Sequence, residues 1–295
     1  MTPDLADLTL FASVARYRSF RRAAVELRLS TSSLSERVRA LEERLGVRLL
    51  NRTTRSVSLT AAGESLLAGL TPALSEIDTA VERARALSDT PSGTLRINAP
   101  TPGVRLTLAP LLIDFMAAHP RIKVELVVDN SLIDIVAAGF DAGVRYGEHL
   151  ARDMIAVPLG APQRFALVAA PSFLATHGTP RKPDDLIGAP CIQHQFLGGA
   201  RPDWEFERDG TVTHFRPDAR LVCTDIETKI DAAIAGLGFL STFEGFVRAP
   251  VEDGRLVEVL RDWQQEFPGP FLYYASRRQI PAGLKAFLEF LRARR

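Results

Sequence analysis

Over the first sixty residues the apolar positions fall at helical spacing in three short runs. Leu5, Leu8, Ala12 and Ala15, flanked by Phe11 and Val14, form a stripe that ends near Tyr17. Ser19 is placed to cap a second run through Arg21, Arg22, Ala23, Ala24 and Leu27, whose alanines let another helix come close while Phe20 anchors the core. After Arg28 and Leu29, Ser30 caps a third helix with Leu34, Val38, Leu41 and Leu45 on one face, and Gly46 stops it. Val57 and Leu59 then alternate as a strand would, closing an Arg-rich hairpin over residues 47–60.

From residue 64 to 87 the apolar positions Leu67, Leu70, Leu74, Ile77, Val81 and Ala84 alternate intervals of three and four, the a/d seam of a coiled coil. The spacing predicts a helix that zips two chains together; the competing reading is one amphipathic helix packed on its own domain. Pro72 is expected to kink it locally, and Thr90, Pro91, Ser92 and Gly93 form a hinge. Beyond the hinge strands and helices alternate. Strands are predicted over 95–99, 122–128 and 142–146, with helices over 106–118 and 132–138. A second block has strands over 165–169, 221–223 and 238–241 and a helix over 227–235; a strand over 271–275 and a helix over 282–291 return to the first block. This is α/β organisation with parallel strands.

Composition bounds the function. The chain has 295 residues, 46% hydrophobic and 24% charged, the balance of a globular protein of about two domains. Asp4 and Asp7 stand where a signal peptide would be basic, and no apolar run approaches the roughly 18 residues of a membrane span, so a cytoplasmic protein without membrane contact is expected. The net charge of +1 conceals an asymmetry: residues 1–63 hold eleven Arg, no Lys and six acids, a net +5, while the remainder holds 25 basic and 29 acidic side chains, a net −4. One end suits a polyanion. The third helix presents Ser30, Thr31, Ser32, Ser33, Ser35, Glu36 and Arg39 away from its apolar stripe, with Arg37 near the edge, as a recognition helix would toward base edges. Arg52, Thr53, Thr54 and Arg55 in the hairpin are candidates for phosphate contacts.

Ser19 and Phe20, Ala23 and Ala24, Leu29 and Ser30, Ser35, Leu41 to Leu45, Gly46 to Leu50, Asn51 to Arg55, and Leu59, Thr60 and Gly63 resemble, in order and spacing, the helix-turn-helix signature of LysR-type transcriptional regulators. Thr31 departs from the Gln frequent there, and Arg21 and Arg22 stand where small residues are usual. The resemblance extends over nearly the whole chain. It implies a winged helix-turn-helix (1–63), a dimerising linker helix (64–90) and a two-lobed effector domain like the type II periplasmic binding proteins (91–295). Lobe one would be about 94–160 with 268–295, and lobe two about 161–267. The implied partners are operator DNA, a second copy of the chain, with tetramers frequent in the family, and RNA polymerase where the regulator activates.

Ligands of such folds sit beyond the strand C-termini, in the crevice between lobes. That places Pro100, Thr101, Asn130 and Tyr146 of one lobe opposite His194, Phe196, Thr224 and Phe243 of the other, around a small anionic or aromatic effector. Thr101 would anchor a carboxylate at a helix N-terminus; the plainer alternative is that it only caps the helix. No His pair has metal spacing, no Ser sits in a nucleophile motif and no Gly loop cradles phosphate, so neither cofactor, metal nor catalysis is expected. Cys191 and Cys223 are expected to be buried thiols rather than a redox pair. Two other readings stay open: a solute-binding module whose N-terminal helices serve assembly only, and an enzyme on the same two-lobed fold.

Overall fold

The computed structural model describes residues 4–52, 57–85, 91–147, 154–275 and 280–294. The N-terminal unit packs α1 (Leu5–Tyr17), α2 (Phe20–Glu26) and α3 (Thr31–Leu45) beside an antiparallel hairpin of β1 (Leu50–Arg52) and β2 (Val57–Leu59). The caps are those the sequence predicts. Ser19 Oγ accepts from Arg22 N at 3.3 Å, Ser30 Oγ from Ser33 N at 3.1 Å, and Gly46 ends α3 at φ +67°. Phe11, Val14, Ala23, Leu34, Val38 and Leu41 are fully buried between the helices.

Helix α4 (Ala61–Arg85) runs straight on from the hairpin and continues through Pro72. A Cβ at Gly63 would stand 2.1 Å from Leu49 O, so only glycine lets α4 begin this close to the hairpin. The first half of the predicted seam is used within the chain. Leu70 is buried in the N-terminal core, and Leu67 and Leu74 pack against it, because α4 crosses α1 there. Ile77 is 41% exposed. The side chains of Val81 and Ala84 lie outside the described residues.

Two sheets follow. The first has the order β4-β3-β5-β15-β6, from β3 (Gly93–Ala99), β4 (Ile122–Val128), β5 (Ala142–Arg145), β6 (Met154–Pro158) and β15 (Phe271–Ala275). Strands β3, β4 and β5 are parallel and β15 is antiparallel to both neighbours. Helix α5 (Thr101–Gly103) passes through a π-helical turn, Val104–Leu108, into α6 (Ala109–Ala118). With α10 (Ala282–Ala293), α6 covers one face, burying Leu95, Ile97, Leu108, Phe115, Leu284 and Phe287.

The second sheet has the order β11-β8-β12-β7-β13, with β14 (Glu266–Phe267) also on β7 (Gln163–Ala169). Strands β8 (Cys191–His194), β11 (Ala219–Cys223) and β12 (Phe239–Phe243) are parallel; β7 is antiparallel to β12 and to β13 (Val257–Val259). A separate hairpin of β9 (Trp204–Arg208) and β10 (Thr211–Phe215) lays Trp204 and Phe206 on one side of this sheet with α7 (Pro171–His177). On the other side lie α8 (Ile226–Ile234) and α9 (Glu244–Glu252).

Three expectations need correction. The sheets are mixed rather than parallel, because apolar alternation reports burial and not the direction of a partner strand. No helix forms over residues 132–138; Asp134 Oδ1 accepts from Val136 N and Ala137 N, but the turn it starts ends at once at Gly139, φ +73°. The helix expected from residue 106 begins at Thr101.

Candidate functional site

The exposed face of α3 carries Thr31, Ser32, Glu36 and Arg39, while Ser33 and Ser35 are half-buried. Ser30 Oγ and Ser32 Oγ lie 3.0 Å apart at the helix N-terminus. Arg21, Arg22, Arg28 and Arg48 are also exposed on this unit. Arg37 serves another purpose. With Arg44 it grips Asp7 of α1, Arg37 Nε donating to Oδ1 at 2.9 Å and Arg44 to Oδ2. Asp7 is only 8% exposed; burial would raise its carboxyl, yet the two arginine hydrogen bonds together hold it below the usual range.

Arg52 is likewise held within the domain. Its Nη2 donates to Glu42 Oε2 at 2.8 Å, its Nη1 to Ser35 Oγ at 3.0 Å, and its guanidinium lies 4.8 Å from the Phe20 ring centroid. Glu42 Oε1 accepts from Leu49 N and Leu50 N at 2.8 and 3.0 Å. Glu42 and Arg52 therefore dock the hairpin on α3, so Arg52, expected to contact phosphate, is also a brace within the domain. Thr53, Thr54 and Arg55 lie outside the described residues.

In the C-terminal unit the carboxyl ends of the two sheets' parallel strands face each other. Tyr146, just past β5, stacks on Phe243 at the end of β12, ring centroids 5.4 Å apart, and its hydroxyl donates to Gln163 Oε1 at 2.9 Å. Phe165 and Phe267 complete this aromatic cluster. Tyr146 and Phe243 thus pack the lobes together, and burial raises the Tyr146 phenol. The π-helical turn aims three consecutive residues across the same junction: Arg105 pairs with Glu227 of α8, Leu106 abuts Gly245 of α9, and Thr107 Oγ1 accepts from Gln163 Nε2 at 3.1 Å.

On the first lobe Asn130 Oδ1 accepts from Thr101 N at 2.9 Å, while Pro100 is the helix N-cap. The first amide of the helix is thereby occupied. Sequence reading missed Arg145, only 5% exposed, which donates to Asn98 Oδ1, Val144 O and Ser131 O, each at 2.7 Å. It ties the loop carrying Asn130 to β3 and β5. Its Nε is buried without a partner.

On the second lobe His194 closes β8, with the Phe196 ring 4.8 Å away edge-on and Phe196 itself exposed. Thr224 follows Cys223, which pairs in register with His194. Lys229, also missed, projects from α8 into this group, its Nζ 3.0 Å from His194 Nδ1. An ammonium can only donate, so Nδ1 is the acceptor and the proton sits on Nε2. Burial first, then the Lys229 charge, pushes His194 down to about 4; burial brings Lys229 down to about 8. The signal was present: Lys229 lies on the apolar stripe of Ile226, Ile230 and Ala233, in a chain whose 36 cations include only four lysines.

The strand register sets Cys191 opposite Ala219 and Cys223 opposite His194, which separates the thiols by on the order of 10 Å, too far for a disulfide. Burial pushes Cys191 up to about 12. Among the described residues no group of His, Cys, Asp and Glu could hold a metal, and no helix is long and apolar enough to cross a membrane.

Residues 5–64 match the model of the bacterial regulatory helix-turn-helix of the lysR family, and residues 88–295 that of the LysR substrate binding domain. A putative transcriptional regulator of Pseudomonas aeruginosa is 43% identical over 290 residues, covering 98% of this chain and 95% of that protein. The HTH-type regulator YcaN of Escherichia coli K12 is 39% identical, covering 99% and 96%. Among solved structures, full-length AphB, a virulence activator of Vibrio cholerae, has a TM-score of 0.68 at 26% identity, covering 99% of both chains. CrgA of Neisseria meningitidis has 0.59 at 30%, covering 100% of this chain and 99% of that one. With both halves of the chain matched, and relatives named as regulators along its whole length, the assembly-only and enzyme readings fall away: this protein belongs to the LysR family of transcriptional regulators.

Proposed function

We propose that the chain binds operator DNA as a homodimer, and that a small anionic or aromatic effector bound between the two lobes modulates that binding. The division into 1–63, 64–90 and 91–295, with lobes near 94–160 plus 268–295 and 161–267, is part of this reading. In it Thr31, Ser32, Ser35, Glu36 and Arg39 read base edges, and the exposed arginines hold phosphate. The observation that supports the effector reading is that Thr101 and Asn130 follow β3 and β4 on one lobe, and that Arg105, one turn on from Thr101, pairs with Glu227 close after Thr224 on the other, while Tyr146 couples the lobes through Gln163. A ligand that prefers one lobe arrangement shifts the population toward it by its difference in affinity.

The test has two arms on the full-length protein. Duplex binding is measured by fluorescence anisotropy from low to high salt, where affinity should fall steeply as counterions are released. Sequencing the genomic DNA the protein retains identifies the operator and neighbouring genes, and with them a metabolite to add. Thr101→Val keeps the shape and removes the hydroxyl, so it should abolish the metabolite's effect on operator affinity. An unchanged response moves the site elsewhere, and loss of duplex binding without metabolite gives Thr101 a packing role. No duplex binding at low salt refutes the reading.

A further inference from the structure

The helix that starts at Thr101 offers an anionic effector few free donors in its first turn. Its first amide is already bonded to Asn130, and the next residue, Pro102, has no N–H. Across the junction Lys229 is 4% exposed, and among the described residues its single hydrogen bond is to neutral His194. Two of its three N–H donors therefore remain uncommitted in a buried setting, a costly state unless an acceptor arrives. Asp225, the acid four residues before it, is committed: its Oδ2 caps α8 by accepting from Thr228 N at 2.8 Å and Thr228 Oγ1 at 2.9 Å.

The position of Lys229 points the same way. It leaves the first turn of α8 on the face opposite the exposed Glu227, toward the carboxyl end of β8. His194 and Cys223 end adjacent parallel strands at the edge where Phe243 meets Tyr146. The exposed Phe196 ring beside His194 offers an apolar face to a flat ligand body. We propose that Lys229, braced by His194, is the anion anchor of the interlobe site, and that the effector is a small organic carboxylate whose apolar body rests on Phe196. The proposal rests on the reading that an effector binds between the lobes, and names its chemical class.

The test uses carboxylates and their uncharged amides: benzoate against benzamide, phenylacetate against phenylacetamide, and succinate against succinamide. Binding to full-length protein is followed by calorimetry. Hydrogen bonds to charged partners are worth about 1.5–3 kcal/mol, so at least one carboxylate should bind about 10- to 100-fold tighter than its amide. Lys229→Met, which removes a buried charge and should fold, brings that ratio to about one, whereas Lys229→Arg keeps most of it. Should Lys229→Met fail to melt cooperatively, Lys229→Gln takes its place. No carboxylate preference in the wild type overturns the proposal, as does a preference that survives in the neutral variants. If amides bind equally well and still change operator affinity, the interlobe reading stands and only the Lys229 assignment falls. If a carboxylate binds through Lys229 yet operator affinity never changes, the anchor stands and the regulatory reading falls.

Discussion

Replacing Glu42 by Ala tests whether one carboxylate docks the hairpin on α3. The side chain accepts two backbone N–H bonds, from Leu49 and Leu50, and pairs with Arg52. Both leucines are buried, so the alanine variant strands two donors away from water. A hydrogen bond to a charged acceptor is worth about 1.5–3 kcal/mol, and the Arg52 arm, reachable by water, adds little. The sum is about 3–6 kcal/mol, large against the roughly 5–15 kcal/mol that holds a typical domain together. Glu42→Gln keeps an oxygen for the two amides but turns an NH2 toward Arg52, and should cost about 1–2 kcal/mol. Hydrogen exchange by mass spectrometry on the full-length chain reads the amides directly; a loss of about 3 kcal/mol corresponds to roughly 100-fold faster exchange at residues 49 and 50. Duplex affinity should fall in the same order, alanine below glutamine. Exchange within threefold of wild type in the alanine variant refutes the reasoning.

Asp7→Asn removes the acid that Arg37 and Arg44 grip, and should cost about 2 kcal/mol near neutral pH, less than a wholly buried pair because both arginines are partly exposed. The folded Asp7 titrates below its unfolded value, so its contribution is complete above about pH 5 and disappears as pH falls through the folded value; acid denaturation of the two proteins should converge once the pH is below that folded value. Ile77→Asp puts a charge on the exposed part of α4 and should dissociate a dimer by sedimentation velocity, without the damage to the N-terminal core that Leu74→Asp would cause; an intact dimer places the seam elsewhere. Arg39→Ala should weaken duplex binding with an unchanged melting curve, whereas Arg52→Ala should lower both, and a melting loss confined to Arg39→Ala would reverse the two roles.

The N-terminal unit was legible because its signals are redundant. Ser19, Ser30 and Gly46 mark the ends of stripes whose spacing already says helix. What spacing could not say is which arginines have partners: Arg37 and Arg52 look like Arg39 in sequence, and only the fold brings Asp7 and Glu42 to them. In the second lobe β8 is four residues long and β10 is largely exposed and polar, so neither carries a burial pattern. The junction was half legible. Strand ends placed Thr101, Asn130, His194 and Thr224 at the edges of their sheets, but nothing in the spacing showed that Tyr146 and Phe243 stack on each other. Lys229 and Arg145, which carry the buried charge, sit among apolar neighbours where patterning expects none.

The π-helical turn at Val104–Leu108 has a consequence for chains of other lengths. Such a turn holds one residue more than an α-helical turn, so a relative lacking one residue here could thread the same path as an unbroken α-helix. Its downstream apolar face, with Leu112 and Phe115, would still meet the sheet. Upstream, the deletion would rotate the helix surface by about 100° and swing the side chains at 105, 106 and 107 away from Glu227, Gly245 and Gln163. A single-codon deletion would then leave both lobes folded while removing the three contacts of this turn, with the Tyr146–Phe243 stack left to hold the junction on that side.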